Sequence, residues 1–439
     1  MKSTAPRCVF LFFFLAIPLL GPSPAAADGM TASIHAGHCC CCCGNDLWTR
    51  DKLTGDLWGA RSCLAQHGIV YDAQLTQFYQ GVTSGGQEET FRYGGKLDQF
   101  VLFDFERLGL CKRLRAAMHV ETRFGESVIG DAAPLAPVNA SMLYPEVGEH
   151  DTAITGLQFE YGLTEQLSLT FGKINAMDLF YTVYPQSGRG IDGFMNASLV
   201  LPLTVGRTVP LSFLGAGLLK RRGPQIQGGL LVYDSNNTPT TSGFDELFDN
   251  GANIAGLWRF FTECHGRPGS HLFLGTWASG DYTSLDPLDW IIIPAQGIVA
   301  PEQTGSWCLV YVMEQQLWAD RCNKNRNVGL LGVLGLADPD TNPFEWTADV
   351  KLQGQGLLRC RQRDTMGVGY FYNGLSSDFK RLVNVLPTVD VEDVQGVELY
   401  YNATLTPWCH LTTDLQIIDN QNVADDTAII LGLRANVKL

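Results

Sequence analysis

Charged side chains in this sequence fall into rows in which neighbours are mostly two residues apart. The rows are Arg115, His119, Glu121 and Arg123, and then Arg359, Arg361 and Arg363. In a β-strand, residues two apart point to the same side of the sheet, so each row predicts a polar strip on one face. Such strips offer hydrogen bonds to polar solutes. His119 beside Glu121 also suits acid–base chemistry, although a histidine in a polar wall more often has only a structural role.

The residues between these charges are mostly apolar, which indicates strands with two different faces. The first row alternates with Leu114, Ala116, Met118, Val120, Thr122 and Phe124. The end of the chain repeats the pattern, with apolar residues from Ile429 to Leu439 alternating with Arg434, Asn436 and Lys438. This period of two predicts antiparallel β-structure. A charge facing lipid at mid-membrane costs about 2–4 kcal/mol, so in a membrane barrel the charged rows should face the lumen.

Two kinds of exported all-β protein are compatible with the alternation: a membrane barrel and a soluble β-sandwich. The strands are roughly ten residues long, which suits an oblique crossing of a bilayer. Short and long connections alternate, and aromatic residues stand at strand ends, as at Trp277 and Trp318. Roughly 370 residues, at about 23 per strand and connection, predict a transmembrane antiparallel β-barrel of about 16 strands. A secreted all-β binding protein is the alternative.

The N-terminal region differs from the rest of the chain and divides into three parts. Residues 1–27 have a basic start, a short apolar run and the small residues Ala25–Ala27, which predicts a signal peptide. A cysteine-rich tail covers residues 28–46. Leu57, Ala60 and Leu64 have helical spacing, which predicts a short periplasmic helix within residues 47–68. The barrel is then expected to cover residues 69–439.

The chain has 13 cysteines, and five of them form the tract Cys39–Cys43, just after His35 and His38. Disulfide formation is the default in an exported chain. Thiolate and imidazole ligands also suit zinc or copper(I), but five adjacent cysteines cannot all contact one ion. We therefore predict no metal site and no cofactor, and we expect the tract to be dispensable for the main function.

Two classes of function are disfavoured by the sequence. A net charge of −14 argues against a nucleic-acid partner. The serine-hydrolase, zinc-protease and P-loop patterns are missing from the sequence, and no convincing nucleophile–base pair stands out, so we do not expect an enzyme.

Three segments of the sequence carry a resemblance to a known family. The first is Leu53–Arg61, continued by Leu64–Ile69; the second is Phe171–Phe180; and the third is Glu398–Ile418. Together they resemble the carbohydrate-selective porin family of the OprB type. They occur in the family's order and span residues 51–439. Two features depart from the family pattern. Leu439 stands where barrel assembly signals commonly have Phe, and Asp419-Asn420-Gln421 replaces an expected asparagine–proline pair.

The resemblance implies a 16-stranded outer-membrane porin that passes monosaccharides and other small solutes without energy input. It also implies contact with outer-membrane lipid, insertion by the barrel-assembly machinery, and a monomer or homotrimer in the bacterial outer membrane. Lys173 and Asp178 lie in the second matched segment, so they join the two charged rows as candidate pore-lining residues. A general or anion-leaning porin with the same fold is the alternative.

Overall fold

The structure is a computed structural model that describes residues 46–132, 135–145, 152–293, 297–384, 390–419 and 426–439. The predicted signal peptide and the tract Cys39–Cys43 lie outside these residues. In the part of the chain that the structure describes, no helix is long and apolar enough to cross a membrane.

Sixteen antiparallel strands form a closed barrel, as the sequence predicts. They are β1 (Ile69–Ser84), β2 (Phe91–Asp104), β3 (Leu114–Gly125), β4 (Thr152–Gly162), β5 (Leu167–Asn175), β6 (Ser212–Arg222), β7 (Gln225–Asp234), β8 (Ala252–Cys264), β9 (Arg267–Thr283), β12 (Glu302–Ala319), β13 (Asn327–Ala337), β14 (Phe344–Gln355), β15 (Thr365–Leu375), β16 (Val394–Thr406), β17 (Cys409–Asp419) and β18 (Ala428–Lys438). Two further strands, β10 (Ile291–Ile293) and β11 (Gly297–Val299), form a small separate hairpin.

The barrel closes where the first strand meets the last. Gln74 of β1 lies opposite Lys438 of β18, and the Leu439 amide donates to the Ala73 carbonyl over 2.8 Å. The segment before β1 packs across this seam, because the Leu53 amide donates to the Lys438 carbonyl over 2.8 Å. The Arg61 guanidinium donates to the Leu439 carbonyl over 2.7 Å.

The N-terminal helix, α1, is shorter than the segment in which it was expected. It covers Ala60–Gln66 only. Leu57, Trp58 and Gly59 immediately before it all have left-handed φ angles of 49°, 56° and 91°. A left-handed backbone cannot continue a right-handed helix, so the helical spacing of Leu57 with Ala60 does not produce a longer helix.

Connections at the two ends of the barrel differ in length. At one end, called the turn end, they are short, and they cover residues 105–113, 163–166, 223–224, 265–266, 320–326, 356–364 and 407–408. The segment before β1 lies at this end. At the opposite end, called the loop end, most are long, and they include residues 126–151, 176–211, 235–251, 284–301 and 376–393. This alternation was expected from the sequence.

The two faces of the barrel wall follow the alternation in the sequence. On β12, Trp307 and Leu309 are exposed on the outer face, whereas Cys308 and Val310 are buried inside. On β3, Met118 and Val120 face outward, while His119 and Glu121 are buried inside the barrel. On these strands the outer face is therefore apolar and the inner face of β3 is polar.

One loop-end connection, residues 176–211, folds into the barrel and is called the inner loop. It contains the helices α3 (Ala176–Val183) and α4 (Ala197–Val200) and two 3₁₀ segments, Pro185–Gly190 and Leu203–Arg207. Phe194, Met195 and Leu199 have no solvent exposure. Val128, Ala132, Ala136 and Val138, in and after the short helix α2 (Ile129–Ala132), pack in one cluster with Phe194 and Leu199. Helix α5 (Ser377–Val383) belongs to another loop-end connection. The inner loop therefore occupies part of the barrel interior.

Candidate pore constriction

Asn175, the last residue of β5, sets the direction in which the inner loop leaves the wall. Its side-chain oxygen accepts the Asp178 amide over 3.2 Å and caps α3. Its side-chain nitrogen donates to Glu121 Oε2 and to Thr155 Oγ1, both over 3.0 Å. All of these bonds are inside the barrel, so the start of the loop is fixed to β3 and β4.

A buried chain of alternating charges joins the barrel wall to α3. Lys96 Nζ lies 2.5 Å from Glu121 Oε1 and 3.4 Å from Asp98 Oδ1. The His119 ring bridges Asp98 (Nε2–Oδ1, 3.2 Å) and Asp178 (Nδ1–Oδ2, 2.7 Å). Both ring nitrogens thus face carboxylates, and neither is left to take a proton from a solute. This geometry favours an anchoring role for His119 over the acid–base role that the sequence also allowed.

Three members of this chain have metal-ligand chemistry but do not suit a metal ion. Ligand atoms of Asp98, His119 and Glu121 all lie within 4.8 Å of one another. The Lys96 ammonium, however, already contacts both carboxylates. A divalent cation placed between them would meet that positive charge at close range, where repulsion is strong.

Where α3 faces the lumen, one arginine lies between two aromatic rings. We call Phe100, Asp178, Tyr181 and Arg189 the lumen site. The Arg189 guanidinium carbon is 5.1 Å from the Phe100 ring centroid and 4.5 Å from that of Tyr181. Its Nη1 donates to Asp178 Oδ1 over 2.9 Å. The relative solvent exposure of the Arg189 side chain is 11% and that of the Asp178 side chain is 12%, so both remain partly accessible.

The electrostatics of the lumen site keep its carboxylate ionised. Burial alone would raise the pKa of the Asp178 carboxyl, but the adjacent His119 and Arg189 outweigh it and hold this pKa below the ordinary value. For Arg189, burial opposes ionisation and Asp178 favours it, and the net effect raises the pKa of the guanidinium. The site therefore presents a paired cation and anion beside ring faces.

Two strands along the wall from β2, Arg434 of β18 holds the middle of the inner loop. Its guanidinium donates to the Gly190 carbonyl over 2.8 Å and to the Gly193 carbonyl over 2.9 Å. A third bond, of 3.1 Å, goes to Thr412 Oγ1. Arg434 is fully buried. An arginine fork of this kind fixes both the position and the orientation of the chain that it binds.

Two more charged side chains bind the loop through its main chain. Glu398 of β16 accepts the Met195 amide over 2.5 Å and the Asn196 amide over 2.9 Å. Lys351 of β14 donates to the Leu199 carbonyl over 2.5 Å. Glu398 has no exposure and Lys351 has 2%. Together with Arg434, these residues fix the loop from Gly190 to Leu199.

A third part of the wall meets the loop through apolar contacts. Phe180, Val183 and Val205 of the loop belong to one buried cluster with wall residues. The wall residues of that cluster include Leu272, Val310, Val312, Leu331 and Val333. Beside it lies an apolar cavity of about 60 Å³ between α3 and strands β6 to β9. This side of the loop is therefore held by burial rather than by hydrogen bonds.

The candidate residues taken from the sequence have different positions in the structure. His119 and Glu121 lie in the buried charge chain, and Asp178 lies in the lumen site. Arg123 donates to the Pro145 carbonyl over 3.2 Å. Arg115 is exposed near the turn end of β3. Lys173 Nζ donates to the Thr241 carbonyl over 2.6 Å and to that of Pro239 over 3.2 Å, so it holds the loop of residues 235–251.

The predicted strand ladder of Arg359, Arg361 and Arg363 is wrong. Strand β14 ends at Gln355, and Gly356 follows with a left-handed φ of 65°. Residues 356–364 form a turn outside the barrel wall, in which Arg359 and Arg363 are exposed. Arg361 Nε binds Asp364 over 2.7 Å. The three arginines are two residues apart because a solvated turn accepts charged side chains at any position without a cost in desolvation. Their spacing therefore does not indicate one face of a strand.

The sequence analysis missed several residues that build the constriction. They are Lys96, Asp98, Asn175, Arg189 and Glu398. The alternation placed Lys351 and Arg434 on inward faces without indicating that they bind the inner loop. Asn175 and Glu398 lie inside the matched family segments, so that resemblance was a usable signal for them. Arg189 sits in irregular structure with a left-handed φ of 46°, and no periodic pattern marks it.

A closed antiparallel barrel of 16 strands with a loop folded into its lumen defines a porin. The model of the family described as "Carbohydrate-selective porin, OprB family" matches residues 88–439. The chain belongs to this family, which confirms the function class expected from the sequence.

Solved structures agree with this assignment at the level of the fold. The high-pH structure of Pseudomonas putida OprB matches with a TM-score of 0.76 at 17% identity, covering 89% of this chain and 99% of that chain. The low-pH structure of the same protein matches with a TM-score of 0.55 at 14% identity and the same coverage. Among curated protein sequences, none is significantly similar.

Proposed function

We propose that this porin lets small sugars, above all monosaccharides, diffuse passively through the bacterial outer membrane into the periplasm. Family membership supports the substrate class. The observation that carries the finer proposal is the lumen site, where Arg189 lies against the rings of Phe100 and Tyr181 and is paired with Asp178. We propose no catalytic step and no cofactor.

The chemistry of the lumen site matches that of a neutral sugar. Guanidinium donors and carboxylate acceptors replace the water that solvates sugar hydroxyls. The partly exposed ring of Tyr181 offers an apolar surface to the C–H side of the sugar, whereas the Phe100 ring is buried under Arg189 and His119. The opposite charges of Arg189 and Asp178 compensate each other, so the pair itself favours neither anions nor cations. Because both groups keep their hydrogen bond to each other, binding of a solute stays weak enough for release.

The test is liposome swelling with the purified full-length porin, using a panel of monosaccharides and neutral amino acids of similar size. Arg189→Ala should reduce sugar flux about tenfold relative to amino-acid flux, because a charge-assisted hydrogen bond contributes about 1.5–3 kcal/mol. Arg363→Gln is the matched control, since it removes an arginine from an exposed turn. An unchanged flux ratio in the Arg189 variant would refute the role of the lumen site.

A general or anion-leaning porin is the competing function, and ion selectivity distinguishes it. The sequence supported an anion preference through a row of arginines on one strand, Arg359, Arg361 and Arg363. In the structure these residues lie in a turn, not on a strand. We expect a reversal potential in a salt gradient that shows little anion preference. A strong anion preference together with equal flux of sugars and amino acids would favour the competing function.

The surroundings of the barrel are part of the proposal. We propose that the apolar outer face, with residues such as Trp307, Leu309 and Leu334 exposed, contacts outer-membrane lipid. We also propose insertion by the barrel-assembly machinery and a monomeric or homotrimeric state. Heat-dependent mobility on gels of outer-membrane extracts tests the first point, and the mass of the detergent-solubilised protein tests the last.

A further inference from the structure

Two neighbouring hairpins at the turn end carry exposed basic side chains. They cover residues 320–326, between β12 and β13, and residues 356–364, between β14 and β15. We call their four exposed cations the basic patch: Arg321, Lys324, Arg359 and Arg363. In the part of the chain that the structure describes, none of these four side chains takes part in an ion pair.

The acidic residues of the two hairpins do not neutralise the basic patch, because each is paired with another arginine. Asp320 Oδ2 accepts Arg326 Nη1 over 2.6 Å, and Asp364 Oδ2 accepts Arg361 Nε over 2.7 Å. Neither hairpin contains a second acidic residue. The four cations of the patch are therefore not compensated within the hairpins, although the chain as a whole has a net charge of −14.

Hydrogen bonds join the two hairpins, so the basic patch is formed before any ligand binds. Arg326 Nε donates to the Gly356 carbonyl over 2.8 Å, and Asn323 Nδ2 donates to Gln362 Oε1 over 3.2 Å. Each residue of the second bond directly precedes a cation of the patch. A preorganised site loses less conformational entropy on binding than one that must first be ordered.

The basic patch borders the outer face of the barrel wall. A Cβ atom at Gly354 of β14 would lie 2.5 Å from Leu357 Cδ1, at the start of the second hairpin. Gly354 continues the outward set of β14, in which Val350 and Leu352 are exposed. Leu357 therefore covers the outer face at this point, and it is itself exposed there.

An aromatic residue lies beside the other hairpin. Trp318, near the end of β12, is exposed, and its ring centroid is 6.0 Å from the Arg326 guanidinium carbon. Exposed tryptophans at strand ends are typical of the zone where lipid hydrocarbon meets the headgroups. In a bilayer, the basic patch would therefore lie at the level of the headgroup phosphates.

We propose that the basic patch binds the phosphate headgroups of anionic phospholipids in the leaflet at the turn end. Arginine matches phosphate oxygens through two parallel hydrogen bonds, and each basic residue near a membrane surface favours anionic lipid. A zwitterionic headgroup offers the same phosphate together with a cation, which the patch repels. This inference rests on the proposed location in a membrane, and it does not depend on which solute the pore passes.

Native mass spectrometry of the full-length porin tests this inference. The porin is extracted from membranes into a mild detergent and mixed with equal amounts of phosphatidylglycerol and phosphatidylcholine. We expect adducts of phosphatidylglycerol to predominate. The double variant Arg359→Gln with Arg363→Gln should bind phosphatidylglycerol about 20-fold more weakly, because each cation contributes about fivefold.

The matched control removes the same charge from exposed positions elsewhere at the turn end. Lys112→Gln with Arg222→Gln should leave phosphatidylglycerol binding within about twofold of the unaltered porin. An equal loss in both double variants would overturn the proposal, since it would assign binding to overall charge. Unchanged binding in the Arg359 and Arg363 variant would also overturn it.

Two further measurements identify the ligand and the fold. Millimolar inorganic phosphate should not displace the lipid adducts, and displacement would overturn the proposal in favour of a site for free phosphate. Heat-dependent gel mobility of each variant shows that its barrel is folded, so a loss of adducts cannot come from unfolding. Recovery of the unaltered porin in the soluble fraction would instead refute the membrane location on which the inference rests.

Discussion

The two sides of the barrel that hold the inner loop use opposite kinds of interaction. We call Lys96, His119, Lys351, Glu398 and Arg434 the polar wall, and Leu272, Val310, Val312, Leu331 and Val333 the apolar wall. The apolar wall buries α3 without requiring one particular position. The polar wall binds named atoms of the loop over 2.5–2.9 Å, for example at Gly190, Met195 and Leu199. Burial against the apolar wall therefore stabilises the inner loop, and the charged residues of the polar wall determine its position.

The largest effect is expected from Arg434→Met, which breaks the polar wall. Removing this buried cation leaves the carbonyls of Gly190 and Gly193 without their donor. Breaking a buried charge network typically costs about 3–5 kcal/mol. We expect the inner loop to lose its fixed position, seen as a larger and noisier single-channel current in planar bilayers. A quiet current of unaltered size would show that the apolar wall positions the loop by itself.

A smaller effect, of a different kind, is expected from Leu331→Ala in the apolar wall. Loss of a buried leucine typically costs about 2–5 kcal/mol. The temperature at which the folded gel band disappears should fall, while the mean conductance stays close to that of the unaltered protein. Leu334→Ala, on the outer face of the same strand, is the matched control. If the Leu331 variant changed conductance as strongly as Arg434→Met, the division between the walls would be wrong.

Acid should weaken the polar wall only at low pH. The folded-state pKa of Asp178 is below its ordinary value of 3.8, so its contribution is present above that value and is lost as pH falls through the folded pKa. If Asp178 is the only group that changes charge, the resistance of the inner loop to proteases should stay constant from neutral pH down to about 4. It should decrease at lower pH. Asp178→Asn should be less protected at neutral pH and should lose this acid step. An acid step of equal size in the variant would assign it to another group.

The smallest effect is expected at the turn end. Arg359→Gln and Arg363→Gln should leave the reversal potential and sugar flux unchanged, and they should change stability by less than about 0.5 kcal/mol. Both side chains are exposed in a turn. A clear shift toward cation preference in either variant would return these arginines to the permeation path.

Local pattern in the sequence predicted the barrel well, because the alternation of faces is a property of each strand taken alone. The start of β1 at Ile69 and the inward placement of His119 and Glu121 followed from it. The arginine row failed for the same reason. A period of two looks alike in a strand and in a solvated turn, and only Gly356 marked the difference.

The constriction was less predictable, because it depends on which distant residues meet. Arg434 reaches Gly190 across 244 positions of sequence, and Glu398 reaches Met195 across 203. Such pairs follow from barrel closure and register, which a single sequence does not encode as a local signal. A resemblance to relatives was the one route to Asn175 and Glu398.

The polar wall binds the inner loop mainly through main-chain atoms, and this has an evolutionary consequence. Arg434, Glu398 and Lys351 contact carbonyls and amides that every residue type except proline provides. Accessible side chains of the loop can therefore be exchanged by mutation while the loop stays where it is. Mutation of a few lining residues can therefore change which solutes a barrel of this kind passes, without displacing the loop. Protein engineers can use the same freedom to change the selectivity of the pore.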